Sequence, residues 1–193
     1  MMIDFDLYPM ISPTDDYEAV LNHLPKILIE PRISALLLCI DKVPSETIIG
    51  KLLSLSQQHN VALMVSFTAY SKPDSQRFKD VDGVHITDLA NLPLSVQSAK
   101  SLKQQIGCSC TTLDEAMYAG EVGVDYVSFP AHSLELIEKW SGFAELPCVA
   151  ENADSPHEAF EAVKRGADFV AFSLSMNETD LEWINELNTL GSL

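Results

Sequence analysis

Three short strings in this chain are near copies of one another: Asp82-Gly-Val-His-Ile86, Asp125-Tyr-Val-Ser-Phe129 and Asp168-Phe-Val-Ala-Phe172. The copies begin at residues 82, 125 and 168, and are therefore 43 residues apart. Each is a turn-forming Asp followed by a short apolar run, which is typical of a buried strand rather than a helix. A repeat of this length with helical sequence between the copies predicts an array of strand–helix units.

Extending this pattern along the chain predicts eight strands, at Phe5–Ile11, Ala35–Ile40, Ala62–Phe67, Gly83–Ile86, Ile106–Cys110, Tyr126–Phe129, Cys148–Glu151 and Phe169–Leu174. About eight helical segments alternate with them, and two begin with the capping-box pattern, at Thr112–Glu115 and Ser155–Glu158. We therefore predict one domain, residues 1–193, folded as a (β/α)8 TIM barrel. An open doubly wound sheet is the alternative, and residues 68–80 form the weakest unit.

The chain is acidic, with 28 Asp and Glu against 12 Lys and Arg and a formal charge of −16. This charge disfavours nucleic acid and anionic membrane surfaces as partners. No signal peptide and no apolar run of about 18 residues is evident, so we expect no membrane span and a cytoplasmic location. The four cysteines lie in strand-like runs and are predicted to be buried thiols. A phosphate ligand would need positive potential that the chain supplies locally.

In a TIM barrel the ligand lies at the C-terminal ends of the strands. The polar residues expected there are Lys42, Ser66, Asp88, Ser109, His132, Glu151, Asn152, Ser173 and Ser175. Glu151 and His132, an acid and a base on neighbouring strand ends, are candidates for proton transfer, although capping a turn and a helix is the alternative role. His85 alternates with apolar neighbours and should face the barrel interior, as a hydrogen-bonded core histidine or as a base. The repeated aspartates should lie at the opposite end and stabilise turns.

Several strings resemble thiamine-phosphate synthases and the related thiazole tautomerases, in the same order along the chain. The resemblance is clearest over residues 80–176 and rests on Asp82-Gly-Val-His-Ile86, Ile106-Gly-Cys-Ser109, Asp114-Glu-Ala116, Val124-Asp-Tyr-Val127, Leu146-Pro-Cys-Val-Ala150 and Gly166-Ala-Asp168. Synthases of this family join a pyrimidine diphosphate to a thiazole phosphate and release diphosphate, with Mg²⁺ holding the leaving group. The resemblance implies a phosphate ligand and an Mg²⁺ site to which Asp88 would contribute. It adds Lys42 and Ser109 to His132 and Glu151, which their strand-end positions indicate, as candidate catalytic residues.

The chain departs from the family pattern at most of the positions that carry this chemistry. The family's Gln-x-Arg-x-Lys falls on Leu38, Ile40 and Lys42, and its Asn-Asp-Arg on Ser66, Phe67 and Thr68. Asp88 is shifted from the family's acidic position, while Ser109 matches a family serine. Pro130-Ala-His132 replaces a Thr-rich loop, Asn152 and Ala153 replace paired glycines, and a phosphate-facing serine falls on Leu174, between Ser173 and Ser175. The tautomerase's catalytic histidine falls near Thr111.

The sequence therefore predicts a divergent thiamine-phosphate-synthase-like protein, a transferase by resemblance, in which catalysis is impaired or lost. The alternative is a non-catalytic barrel that binds another small molecule or a protein partner. A phosphoribosylanthranilate-isomerase-like barrel ranks last, because no Gly-rich phosphate turn follows the seventh strand. If Trp140 or Trp183 is exposed, we expect it to contribute to a homodimer face.

Overall fold

The computed structural model describes residues 4–14, 16–67 and 78–192. Its eight parallel strands close into one barrel in chain order, with each strand paired to the next and the eighth paired to the first. The strands are β1 (Asp6–Ile11), β2 (Ala35–Ile40), β3 (Ala62–Phe67), β4 (Gly83–Ile86), β5 (Gln105–Ser109), β6 (Tyr126–Pro130), β7 (Cys148–Glu151) and β8 (Phe169–Ser173). The predicted (β/α)8 barrel is confirmed, and every predicted strand is present to within one residue at each end.

Seven α-helices surround the barrel in the described part of the chain. They are α1 (Tyr17–Ile27), α2 (Glu46–Gln58), α3 (Leu92–Ser101), α4 (Leu113–Val122), α5 (Leu134–Phe143), α6 (Pro156–Lys164) and α7 (Thr179–Gly191), and a 3-10 helix at Leu89–Asn91 precedes α3. The predicted weak unit between β3 and β4 falls mainly on residues 68–77, outside the described residues. None of the described helices is long and apolar enough to cross a membrane.

Helix starts follow the predicted capping chemistry. The Thr112 hydroxyl accepts a hydrogen bond from the backbone N–H of Glu115, whose carboxylate accepts one from the N–H of Thr112, so a complete capping box opens α4. Ser155 caps α6 in the same way through the N–H of Glu158, but the Glu158 carboxylate accepts from Asp154 instead of from the cap residue. These caps fix where each helix begins after its strand, and therefore how short the loops at the strand ends are.

The aspartate that begins each repeat joins its strand to the preceding one at the N-terminal end of the barrel. The carboxylates of Asp82, Asp125 and Asp168 each accept a hydrogen bond of 2.8 Å from a backbone N–H of the preceding strand or its start, at Leu63, Ile106 and Cys148. The N–H of each aspartate donates in turn to the carbonyl of that same residue. The repeated aspartates are therefore structural, as predicted, because they close the strand ends far from the loops that follow the strands.

The barrel interior is filled in layers of four side chains taken from alternate strands, as the strand register requires. At the C-terminal end the layer from odd strands consists of Met10, Ser66, Ser109 and Glu151. The layer beneath it, from even strands, consists of Leu37, His85, Ser128 and Ala171. Tyr8, Met64, Gly107 and Val149 follow, and Tyr126 belongs to the layer at the N-terminal end. The interior is thus apolar at its base and polar on one side near the strand C-termini.

The outward faces of the strands pack against the helices and form the main hydrophobic core, which includes the fully buried Phe129 and Phe172. Three cysteines are buried as predicted, Cys108, Cys110 and Cys148, whereas Cys39 is half-buried and faces the barrel interior. All four are free thiols. The core therefore accounts for the apolar runs of the sequence, and the polar interior layers are the exception to them.

Candidate active site

Four polar side chains meet in the two layers nearest the strand C-termini. Oε2 of Glu151 on β7 accepts hydrogen bonds from the hydroxyls of Ser128 on β6, at 2.6 Å, and Ser109 on β5, at 2.9 Å. Nε2 of His85 on β4 lies 2.8 Å from the Ser109 oxygen and 3.7 Å from Oε2 of Glu151. Strands β4 to β7 thus bring a base, an acid and two hydroxyls together, and we call this set the Glu151 network.

The network continues toward the N-terminal end of the barrel through two tyrosines. Nδ1 of His85 lies 3.0 Å from the hydroxyl of Tyr126, which lies 3.0 Å from the hydroxyl of Tyr8. The Tyr126 ring stacks against the His85 ring at a centroid distance of 5.7 Å. Room for the Tyr126 ring comes from Gly107, since a Cβ at that position would overlap the ring. A residue without a side chain on β5 therefore allows a tyrosine from the lowest layer to reach the histidine.

Donor and acceptor counting fixes the direction of these hydrogen bonds. A carboxylate only accepts, so Ser109 and Ser128 donate to Glu151, and the Ser109 oxygen must then accept from Nε2–H of His85. In the neutral ring Nδ1 accepts from Tyr126, whose oxygen accepts from Tyr8. This neutral tautomer satisfies every donor in the chain of bonds. A protonated ring would leave the hydroxyl of one of the two buried tyrosines, Tyr8 or Tyr126, without an acceptor among the described residues.

The carboxylate of Glu151 is ionised at neutral pH. Burial by itself would raise its pKa, but the neighbouring His85 ring and the hydroxyls of Ser128 and Ser109 favour the charged form and bring the pKa below its usual value. Burial raises the pKa of Tyr126 and Tyr8 well above the ordinary value, and the charge of Glu151 adds to this effect. The network therefore holds one negative charge, on Glu151, and its two phenols keep their protons.

The top layer also contains two polar atoms that point away from this network. Within the part of the chain that the structure describes, Oε1 of Glu151 accepts no hydrogen bond, and the side chain is 16% exposed. The Ser66 hydroxyl on β3, across the barrel, likewise has no partner among the described residues, although Ser66 is only 3% exposed. Both atoms lie in an interior layer near the strand C-termini, where a ligand or water that enters the barrel mouth would meet them.

A second polar cluster lies in the loop between β8 and α7. The carboxylate of Asp180 accepts hydrogen bonds from the backbone N–H groups of Ser175, at 2.8 Å, and Met176, at 3.0 Å. Nε2 of His23 on α1 lies 2.9 Å from the same carboxylate. Asp180 and His23 are 3% and 7% exposed. Consequently an internal carboxylate occupies backbone donors in a loop where TIM barrels commonly bind phosphate.

The loop after β7 carries Asn152 and Ala153 at the positions where the family resemblance predicts paired glycines. Asn152 has a positive φ of 56°, a conformation that Asn tolerates better than most residues with side chains. The next N–H, of Ala153, donates to the carbonyl of Ala171 at 3.0 Å. The loop therefore keeps a left-handed turn, while the amide that follows it is used inside the protein.

The other predicted site residues lie on the loops at the same end of the barrel. Lys42 and His132 are exposed, after β2 and β6 respectively. Asp88 is exposed too, and its carboxylate accepts from the N–H of Ala90, so it caps the 3-10 helix. Ser173 and Ser175 are exposed beside the Asp180 cluster. The structure thus brings Glu151 to His85 and Ser109, and not into a hydrogen bond with His132. Thr68 lies outside the described residues.

The described residues do not group into a preformed metal site. Among residues 4–14, 16–67 and 78–192, no three His, Cys, Asp or Glu side chains are grouped so as to hold a metal ion. Mg²⁺ in proteins is usually bound through one or two carboxylates together with substrate phosphates. Asp88 supplies one carboxylate, and that group is engaged as a helix cap.

Sequence reasoning did not assign His85, Ser128 and Tyr126 to the site. The signal was present in the repeat, because its second and fourth positions both face inward and carry Tyr126 and Ser128 in one copy and His85 in another. What no pattern reveals is that Gly107 makes room for Tyr126 to reach His85. The condition for a tryptophan-based homodimer face is not met by Trp140, which is 4% exposed, and Trp183 is stacked on Phe172.

The sequence relatives that comparison finds among curated proteins are thiamine-phosphate synthases. The chain is 32% identical to the thiamine-phosphate synthase of Erythrobacter litoralis over 149 residues, 69% of this chain and 68% of that protein. It is 27% identical to the thiamine-phosphate synthase of Rhodospirillum centenum over 186 residues, 88% of each chain. No family model matches.

Among solved structures, the thiamine phosphate pyrophosphorylase from Pyrococcus furiosus superimposes with a TM-score of 0.77 at 22% identity, covering 99% of this chain and 97% of that one. At this identity the superposition supports the fold alone, whereas the sequence relatives carry the family assignment. This chain belongs to the thiamine-phosphate synthase family, as a divergent member.

Proposed function

We propose that this chain is a thiamine-phosphate-synthase-like barrel in which the joining of a pyrimidine diphosphate to a thiazole phosphate is impaired or lost. The observation that carries the proposal is the Asp180 carboxylate on the backbone N–H groups of Ser175 and Met176. A phosphate needs such donors, and a carboxylate in contact with them both occupies the donors and repels an anion.

The charge of the strand-end loops supports the same conclusion. Among the described residues that follow β1, β2 and β4 to β8 and precede the next helix, one is a lysine, Lys42, and none is an arginine. The same loops contain five acidic residues: Asp16, Asp41, Asp88, Asp154 and Glu178. Transfer with a diphosphate leaving group develops negative charge that cations must stabilise. The described loops supply negative charge instead.

A second candidate function is a non-catalytic barrel that binds another small molecule. The observation that favours it is the set of polar atoms in the top layer of the barrel. The donors of the Glu151 network are hydrogen-bonded within the network, whereas Oε1 of Glu151 and the nearby Ser66 hydroxyl have no partner among the described residues. Burying a polar group in an apolar barrel costs free energy unless the group makes hydrogen bonds within the protein or with a ligand. The two unsatisfied atoms at the mouth are what a bound ligand would engage.

The test is a direct assay for thiamine phosphate from the two substrates with Mg²⁺, beside the Rhodospirillum centenum synthase as a positive control. We expect no product above background from this chain, and no rise of its melting temperature with inorganic phosphate or thiazole phosphate. Product formation at a rate comparable to that of the control, or clear stabilisation by either phosphate, would refute the proposal.

Removing the internal carboxylate tests the observation itself. Asp180→Ala frees the N–H groups of Ser175 and Met176, so phosphate should raise the melting temperature of this variant relative to chloride at equal ionic strength. Asp154→Ala removes one negative charge at the same end of the barrel without freeing those donors, and should show no phosphate effect. If Asp180→Ala does not fold, Asp180→Asn removes the charge while its single carbonyl oxygen can still occupy one of the two donors, so it should show a smaller phosphate effect in the same direction. Equal responses of the variants at positions 180 and 154 would show that the carboxylate does not block an anion site.

A further inference from the structure

The mouth of the barrel presents an unneutralised negative charge to a ligand. Oε2 of Glu151 is held by Ser109 and Ser128, and Glu151 belongs to the interior layer nearest the strand C-termini. The adjacent His85 is neutral in the arrangement that satisfies every hydrogen bond of the network. The two hydroxyls and the His85 ring stabilise the charge of Glu151 through Oε2 and leave Oε1 without a partner among the described residues. A cation that reaches Oε1 is attracted strongly, because the surroundings of a partly buried carboxylate screen its charge less than bulk water does.

The acceptor on the opposite side of the mouth is the Ser66 hydroxyl. Ser66 and Glu151 belong to the same interior layer, on strands β3 and β7, which lie across the barrel from each other. Ser66 is only 3% exposed and has no partner in the described part of the chain. An unpaired hydroxyl in a buried position costs free energy until a ligand or water completes its hydrogen bonds. The layer therefore offers one charged and one neutral acceptor to a molecule that enters the mouth.

We propose that the top layer of the barrel binds a small organic cation with N–H donors, of the amidinium or protonated N-heterocycle class, through Oε1 of Glu151 and the Ser66 hydroxyl. This inference rests on the proposed loss of phosphate chemistry at the strand ends. The charge of Glu151 requires a positive ligand, and the two acceptors require N–H groups. The acidic loops around the mouth attract a cation and repel a phosphorylated compound.

The neutral phenols and the apolar residues below the layer define the size of the ligand. Tyr8, Tyr126 and Met64 are buried beneath it, with exposures of 3%, 9% and 2%, so a ligand does not descend past His85. A flat group of a few atoms on the top layer meets the carboxylate edge-on. Amidinium groups form charge-assisted hydrogen bonds with a carboxylate, and these are about twice as strong as neutral ones.

The experiment uses three probes of nearly equal shape: acetamidinium chloride, neutral acetamide and sodium acetate. Each is titrated into the full-length ¹⁵N-labelled protein at constant ionic strength, and the backbone amides of Ser66, Ser109 and Glu151 are followed by NMR. We expect a saturable shift with acetamidinium, and none with acetamide or acetate. Glu151→Gln should weaken acetamidinium binding by about tenfold or more, as the loss of a charged hydrogen-bond acceptor predicts.

Matched variants separate a specific site from general attraction to an acidic surface. Asp154→Asn removes one charge from the loop after the same strand and should change the affinity less than about twofold. Ser66→Ala removes the second acceptor without breaking a hydrogen bond among the described residues, so it keeps the test valid if Glu151→Gln does not fold. Non-saturable shifts, or equal effects of the changes at positions 151 and 154, would overturn the inference.

The same titrations distinguish failure of this inference from failure of the proposed function. Saturable binding of acetate at Glu151 would overturn the cation site alone, because acetate does not report on catalysis. Formation of thiamine phosphate in the substrate assay would overturn the proposed function, whatever acetamidinium does. Binding of thiazole phosphate at the top layer, seen at the Ser66 and Ser109 amides, would overturn both.

Discussion

Gly107→Ala should disrupt the barrel interior and the site together. A Cβ at residue 107 would overlap the ring of Tyr126, which is 9% exposed and packed inside the barrel. The ring must then move, and its hydroxyl loses contact with Nδ1 of His85 and with the hydroxyl of Tyr8, each now at 3.0 Å. One methyl group on β5 thus tests whether glycine at this position is what allows the tyrosine to reach the histidine.

The expected cost follows from two contributions. Overpacking a well-packed interior by one carbon costs about 1–3 kcal/mol of unfolding free energy. The two buried hydrogen bonds of Tyr126 are worth about 0.5–1.5 kcal/mol each, and more where a partner is left unsatisfied. Together these give a loss of roughly 2–6 kcal/mol, a large part of the stability of an ordinary domain. For a chain of this size, a loss of about 4 kcal/mol lowers the melting temperature by roughly 8–16 °C.

The assay is thermal and urea unfolding of Gly107→Ala beside Gly50→Ala. Gly50 lies in the interior of α2 with open space around the position of a Cβ, so alanine there should stabilise the protein by about 0.5–1 kcal/mol. The ¹⁵N shifts of the His85 ring report whether Nδ1 still accepts a hydrogen bond. If Gly107→Ala melts within about 2 °C of the parent and leaves the His85 shifts unchanged, the steric reasoning is refuted.

Three further changes test the rest of the structure. Asp125→Ala removes the carboxylate that accepts from the N–H of Ile106, and should cost about 1–3 kcal/mol in urea unfolding; no loss would mean that the repeated aspartates do not stabilise the barrel. Because the pKa of Glu151 lies below its usual value, its carboxylate stabilises the fold above about pH 4.3, and this contribution is lost as the pH falls through the folded-state pKa. The stability difference between the parent and Glu151→Gln should therefore shrink with acidification, and a constant difference would contradict the assignment. His23→Ala removes the ring from the buried Asp180 carboxylate and should cost about 2–4 kcal/mol, measured by urea unfolding; a change below about 0.5 kcal/mol would show that the contact is not stabilising.

The sequence was sufficient for the fold because the fold depends on features that are local in the chain. Apolar runs of strand length recur between helical segments, and Asp starts the strand in each repeat. The capping box at Thr112 and the serine cap at Ser155 mark helix starts through hydrogen bonds that span three residues. Each of these signals is complete within a few residues, so no knowledge of the tertiary structure is needed to read it.

The site was predicted less completely because it depends on distant residues. The direct partners of Glu151 on β7 lie 23 and 42 residues away in sequence, and Tyr8 and Tyr126 meet across 118 residues. The strand-end rule placed Glu151, Ser109 and Ser66 at the correct end of the barrel. It did not predict the hydrogen bond between His85 and Tyr126. That contact depends on the register of the strands in the barrel and on the space that Gly107, which has no side chain, leaves for the tyrosine ring.

Within the repeat, the residues that stabilise the barrel and the residues that contribute to the candidate site occupy different positions. Its first residue is always Asp and makes the same hydrogen bond in all three copies, and its third and fifth residues are apolar and face the helices. The second and fourth residues face the interior, and at these positions the side chains differ in polarity and size among all three copies. The fourth is His85, Ser128 or Ala171, so the copies on β4 and β6 supply polar groups and the copy on β8 does not. A ligand at the mouth therefore meets the Glu151 network on the side of β4 to β7, the Ser66 hydroxyl on β3 across from it, and the apolar Met10, Leu37 and Ala171 on β1, β2 and β8.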